Sequence, residues 1–226
     1  MTSSQTLASH LIISWRGCLL ATTTLRCGAA TAWIAARAGA AFPDVLEPVE
    51  LAMSVPVPFF GVLAVADLHQ SQAPSRRQVT PRLIGALVLA LGFALIGALL
   101  AATVTVPHRD VWPPAGRTAM LVTAAVLVQL IAQLTGIGWG LLLRHSAVAM
   151  AATVLVPMTV TVLLSGIDPD GGLVRWLTPY GNARSLLAGK PTPATLAGLG
   201  VVMLLWGVLP NLLGTRHVNR NAPRCR

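Results

Sequence analysis

Two carboxamides stand one helical turn apart in a long uncharged run. Gln129 and Gln133 lie in MLVTAAVLVQLIAQLTGIGWGLLL, the 24 residues from Met120 to Leu143. Ala125, Ala132, Gly136 and Gly140 recur with them at helical spacing, so one stripe of this segment is small or polar. Lipid supplies no hydrophobic drive between helices, and such a stripe lets backbones approach closely and amides bond across a helix pair. Two roles fit these residues: packing inside a bundle, or the lining of a substrate path. Packing is the commoner role at membrane interfaces and is the reading adopted for the stripe.

The second unusual group is Arg26, near the middle of GCLLATTTLRCGAATAWIAA, residues Gly17 to Ala36. A charge at the centre of a spanning helix costs roughly 2.5–3.5 kcal/mol on insertion scales, so this guanidinium should face protein or water. Glu47 and Glu50 are its nearest candidate partners.

Further reactive chemistry is sparse. No HExxH, GxSxG or Walker A sequence is present, which speaks against the motif-bearing hydrolases and nucleotide-binding enzymes. Cys18, Cys27 and Cys225 form no CxxC pair. His10, His69, His108, His145 and His217 fall in five different polar segments, so no two share a helical face and no metal site is expected. Neither a cofactor nor an enzymatic activity is expected of the chain itself.

The elements that must position these residues follow from composition. Hydrophobic residues make up 54% of the chain and charged ones only 10%, the signature of a polytopic membrane protein. The formal charge of +9 arises mostly from arginines between or beyond apolar runs. There they set topology and meet anionic lipid; no aromatic-rich basic patch points to nucleic acid.

The expected architecture is all-α: six transmembrane helices and an N-terminal interfacial helix, in one transmembrane domain over residues 1–226. The interfacial helix covers residues 2–16, with Leu7, Leu11, Ile12 and Trp15 on one face. The spans fall at about 17–36, 51–66, 83–106, 120–143, 147–164 and 195–213. Phe42 to Glu50 reads as an acidic, proline-punctuated connection, and Asp67 to Arg82 as a basic loop. Pro56, Pro58 and Pro157 interrupt spans. The turn Arg144–Ser146 is short enough to make the spans on either side of it antiparallel neighbours. The 30 residues from Ser165 to Ala194 are long for a connection and are expected to contain a short helix around Asn182 to Ala188.

Arginine placement orients the chain. With both termini cytoplasmic, nine basic residues fall inside and six outside, Arg26 being left in a span. The expected location is the plasma membrane.

This arrangement resembles the membrane subunits of the ABC-2 type permease family of ABC transporters. The residues most like that family are PSRR at Pro74 to Arg77 and WLTPYGNARSLLAG from Trp176 to Gly189. The resemblance implies a permease subunit of an exporter, with ATP bound on a separate nucleotide-binding (ATPase) subunit. That partner would dock on the loop carrying Asp67, Arg76, Arg77 and Arg82. It further implies a homodimer or heterodimer of permease subunits, with Ser165 to Ala194 forming outer re-entrant or surface helices, and a hydrophobic or amphipathic substrate. Two departures stand beside it: Asp67 lies in a compact loop where members often carry a glutamate in a longer inner helix, and the first span is charged. The alternative is a non-transporting assembly or immunity subunit that binds another membrane component through its glycine faces.

Overall fold

The computed structural model describes residues 14–66, 76–106, 112–189 and 192–220, and every regular element among them is helical. The interfacial helix expected at 2–16 falls almost wholly outside the described residues. Trp15 and Arg16 instead open the first helix, α1 (Trp15–Arg37), whose N-terminus Ser14 caps by accepting from Gly17 N at 3.1 Å. α1 has 23 residues, and Thr22, Thr23, Thr24 and Thr31 each donate a hydroxyl to the carbonyl four residues back at 2.8 Å. Its length would suffice to cross a bilayer. Its threonines and arginines leave it less apolar than five other segments, which are both long and apolar enough to do so: Phe42–Ala66, Thr80–Thr105, Ala115–Leu142, Ser146–Ile167 and Pro193–His217.

The Phe42–Glu50 connection expected from its acids and prolines is helical instead. α2 (Phe42–Ser54) starts with Pro43 at its first turn, where a missing N–H costs nothing, and buries Phe42, Val45, Leu46, Val49 and Met53 along one stripe. A turn at Val55–Pro56 separates it from α3 (Val57–Ala66), so α2 and α3 form one broken span. The break follows from Pro56 and Pro58, neither of which can donate to the helical ladder.

α4 (Arg76–Thr105) also begins earlier than expected, so Arg76, Arg77 and Arg82 belong to its backbone and not to a loop. Pro81 sits near the start of that helix, where a proline disturbs few rungs. Arg82 is half-buried and donates from Nη1 to Ala64 O at 3.3 Å, joining the first turns of α4 to the last turn of α3. Asp67 lies outside the described residues.

α5 (Ala115–Leu142) runs through the middle of the bundle, and α6 (Ser146–Ile167) returns beside it after the short turn. Their surroundings differ sharply. Only 11% of the apolar window of α6 is buried, against 56% for α5. The long connection after α6 contains two helices, α7 (Gly172–Leu177) and α8 (Pro179–Leu187). The short helix expected near Asn182 to Ala188 is thus present, starting three residues earlier because Thr178 and Pro179 make a strong N-terminus.

The last span is α9 (Pro193–Val202), a π-helical turn at Met203–Val208, and α10 (Leu209–Arg220). The widened turn directly precedes Pro210, whose ring would clash with the carbonyl four residues back in a regular helix. The main core gathers Leu46, Met53, Phe60, Phe93, Leu121 and Leu187 between α2, α3, α4, α5 and α8. Phe60 and Phe93 stack there with ring centroids 5.2 Å apart.

Candidate functional site

The stripe on α5 faces the broken span. Gln133 is fully buried, with its carboxamide oriented so that Nε2 donates to Val57 O at 2.6 Å and Oε1 accepts from Gly61 N at 3.0 Å. The side chain therefore brackets the first rung of α3, just where the two prolines weaken the ladder. One turn along, a Cβ on Gly136 would collide with the Pro58 carbonyl, and a Cβ on Gly140 would stand 2.6 Å from Val65 Cγ2. α3 and α5 touch backbone to backbone. Although α5 also contacts α6, its antiparallel neighbour, the small-residue stripe is turned toward α3.

Gln129 meets a residue that the sequence alone had placed in a loop. Glu50 is fully buried within the Phe42–Ala66 span, and Gln129 Nε2 donates to its Oε2 at 2.8 Å and to its backbone carbonyl at 3.0 Å. Gly97 of α4 closes the third side: a Cβ there would collide with Glu50 Oε1. Glu50 thus puts a carboxyl group between α2, α4 and α5, at a depth where the sequence had offered only Arg26 as an ionisable group. The apolar spacing of α2, at Phe42, Val45, Leu46, Val49 and Met53, was the available sign that this stretch is helical.

The pairing expected for Arg26 is not formed. Arg26 is exposed on α1, Glu50 is occupied by Gln129, and Glu47 accepts from Arg184 Nε at 3.2 Å. α8 supplies that arginine. Its position in the fold depends on a connection the sequence does not reveal.

On the other side of α5 the packing opens. A mostly apolar cavity of about 280 Å³ lies between α2–α3, α5, α6 and α8, with Ser54, Pro58, Ile131, Thr135, Val154 and Tyr180 among its walls. Val55, Met158 and Tyr180 on its rim are exposed, so it opens sideways from the bundle. A second, more polar cavity of about 670 Å³ lies beyond α8 among Asp170, Arg175, Arg184, Ser165 and Thr195. Tyr180 and Asn182 line both. α8 is therefore the partition between an apolar chamber and a polar vestibule.

Local chemistry fixes that partition. Thr178 Oγ1 donates to Val174 O at 2.7 Å and accepts from Gly181 N at 3.1 Å, ending α7 and capping α8 with one hydroxyl. Gly181 passes so near Val174 that a Cβ would stand 2.5 Å from its carbonyl oxygen. Trp206, in the π-helical turn, donates from Nε1 to Leu177 O at 2.8 Å. The irregular turn of the last span thus holds the junction of α7 and α8 in place. Asn211 Nδ2 secures the turn to α5 by donating to Leu134 O at 2.7 Å and to Gly207 O at 2.6 Å.

Of the residues singled out from sequence, Gln129, Gln133, Gly136 and Gly140 come together where α5 meets the broken α2–α3 span, and none of these four lines either cavity, although Ala132 of the same stripe lines the apolar one. Glu50 was singled out only as a candidate partner for Arg26, and Asn182 only as the start of an expected short helix. Among the described residues no three His, Cys, Asp or Glu side chains converge as a metal site would require. No protein-family model matches the chain, and no curated protein matches it.

Proposed function

We propose that this chain is the membrane subunit of an ABC-2 type exporter, moving a hydrophobic or amphipathic substrate with energy from ATP hydrolysed on a separate subunit. The observation that carries this reading is the α7–α8 pair. Two short helices fold back against the bundle directly before the last span, and α8 buries Gly181, Asn182, Ala183, Leu186 and Leu187 between two cavities. Non-helical backbone and broken helices at such a position are tolerated where they line a cavity, and they cost stability elsewhere. An apolar chamber that opens sideways suits a substrate taken from the membrane, and a polar vestibule suits its release.

In this reading α1 is the sixth crossing, and both termini and the 67–75 segment are cytoplasmic. The first turn of α4, which carries Arg76 and Arg77, is the docking segment for the ATPase partner. Arg82, bonded to Ala64 O, couples movement there to both α3 and α4. Two permease subunits pair within the plasma membrane, this chain with itself or with a second permease.

Co-purification with an ATPase encoded beside this chain, together with ATP-dependent efflux from inverted vesicles, tests the reading. Arg76→Glu/Arg77→Glu is expected to lose the ATPase while the membrane subunit remains folded. Stable membrane insertion with no ATPase partner and no ATP-dependent flux would overturn it in favour of an assembly or immunity subunit.

A further inference from the structure

One face of α6 borders both cavities in turn. Val154 and Met158 line the apolar chamber, while Thr161 and Ser165 line the polar vestibule. Steps of four, three and four residues put all four on one helical face, so the cavities lie end to end along α6. From Val154 to Ser165 the helix rises about 16 Å, roughly half of a hydrocarbon core about 30 Å thick. The vestibule end is a membrane boundary. Glu47 in α2 pairs with Arg184 of α8, so the α1–α2 turn lies at the same end of the bundle as α7 and α8. Trp33, Trp176 and Tyr180 expose their rings at that end, and the Arg37 guanidinium lies 3.7 Å over the Trp33 ring. Exposed Trp and Tyr beside arginine mark the headgroup level of a spanning bundle.

The vestibule's charge is one-sided. Arg175 and Arg184 line it against a single acid, Asp170. Arg184 engages Glu47 through Nε, and Arg175 has no carboxylate within ion-pair reach among the described residues. Thr192 and Thr195 add a donor: their hydroxyls share one bond at 2.9 Å, which leaves one of their two protons to give. We propose that the two cavities together seat one anionic phospholipid of the leaflet on that side, its phosphate against Arg175 and Arg184 and one acyl chain in the chamber. Guanidinium groups pair with phosphate oxygens through charge-assisted, two-point hydrogen bonds. A headgroup without an ammonium is selected, because an added cation would meet two arginines. The chamber opens sideways at Val55 and Met158 and so admits the chain from the bilayer. Its volume of about 280 Å³ suits one chain and leaves the other in the surrounding lipid. The site does not rest on the exporter reading, since a lipid held here would serve a non-transporting subunit equally.

The test is native mass spectrometry of the full-length protein released from detergent, with phosphatidylglycerol and phosphatidylcholine of identical chains added singly and in competition. The expected result is one retained phosphatidylglycerol per chain and a preference over phosphatidylcholine of roughly tenfold. Arg175→Gln/Arg184→Gln brings that preference to about one. Arg16→Gln/Arg144→Gln removes the same charge at the opposite end of the bundle and leaves the preference unchanged. All four arginines are exposed, so both double variants fold. Met158→Trp, on the exposed rim, blocks the chamber mouth and weakens both lipids equally. Equal binding of the two lipids to the wild type overturns the proposal, as does a preference that survives Arg175→Gln/Arg184→Gln or is lost just as well in Arg16→Gln/Arg144→Gln. Unchanged binding in Met158→Trp would take the chain out of the chamber and overturn the two-cavity seat. Glycerol phosphate, the head without chains, competing as strongly as the lipid would overturn the membrane source in favour of a free anion.

Discussion

The two sides of α5 are built on opposite terms. Toward the broken α2–α3 span the helix presents glycines and two amides, and the backbones meet without space for a methyl group at Gly136. The Gln133 amide is satisfied at both ends, and Gln129 spends its donor on Glu50. Toward α6 and α8 the same helix presents Val128, Ile131 and Thr135 to open space. Close packing and interhelical amides stabilise a helix pair in lipid, and bistable or binding elements are drawn from the less densely packed regions. The contrast sets a tight seam between α5 and the broken α2–α3 span against a more open side, where α5, α6 and one face of α8 border the apolar cavity.

The largest effect that could break this division is at the tight seam. Gly136→Leu drives a side chain into the Pro58 carbonyl and is expected to cost about 3 kcal/mol or more, read as loss of folded protein in detergent unfolding. A folded, stable Gly136→Leu protein would mean that α3 and α5 do not touch as described. Gly166→Leu, on the outward helix where nothing lies within reach, is the matched control and should leave stability within about 0.5 kcal/mol.

Next in size is the buried pair. Gln129→Leu removes the donor from two acceptors of Glu50 and is expected to destabilise by roughly 2 kcal/mol. The double change Glu50→Leu/Gln129→Leu should recover part of that loss, because no carboxyl group is then left stranded. Strict additivity of the two single changes would show that they do not interact.

On the looser side the expected changes are smaller and concern motion more than stability. Trp206→Phe keeps an aromatic ring but removes the bond to Leu177 O and some buried volume, for a cost of about 1–2 kcal/mol. A cysteine introduced at Tyr180 should then react faster with a water-soluble maleimide, while one at Ala132 is unaffected. Smallest is Arg184→Ala. Its ion pair with Glu47 is exposed, at 67% and 26% for the two side chains, so a change of no more than about 0.5 kcal/mol is expected, shrinking with added salt. A larger loss would place α8 under more constraint than the cavities on both its faces suggest.

Much of this was legible in the chain. The apolar runs, the stripe at Gln129, Gln133, Gly136 and Gly140, and the break at Pro56 and Pro58 are local properties, set by residue type and by the periodicity of a helix, whereas Pro157, also expected to interrupt a span, lies inside a continuous α6. Where reading failed, local signals conflicted. Phe42 to Glu50 carries three acids and two prolines, which pointed to a loop, yet its apolar spacing fits a helix that buries one face. The first span was equally divided: its length suits a crossing, and its threonines and arginines do not.

By itself, then, the sequence determined an all-helical chain with long apolar segments and told which face of α5 could be approached closely. Only the tertiary structure decided who the partners are. Glu50 and Gln129 are 79 residues apart, and Arg184 and Glu47 are 137 apart. No periodicity reaches over such distances; the pairs exist because α2, α5 and α8 dock side by side. The same docking ties the Asn182 amide nitrogen to carbonyls of α7 and α9, a condition that depends on three helices at once and on no residue alone.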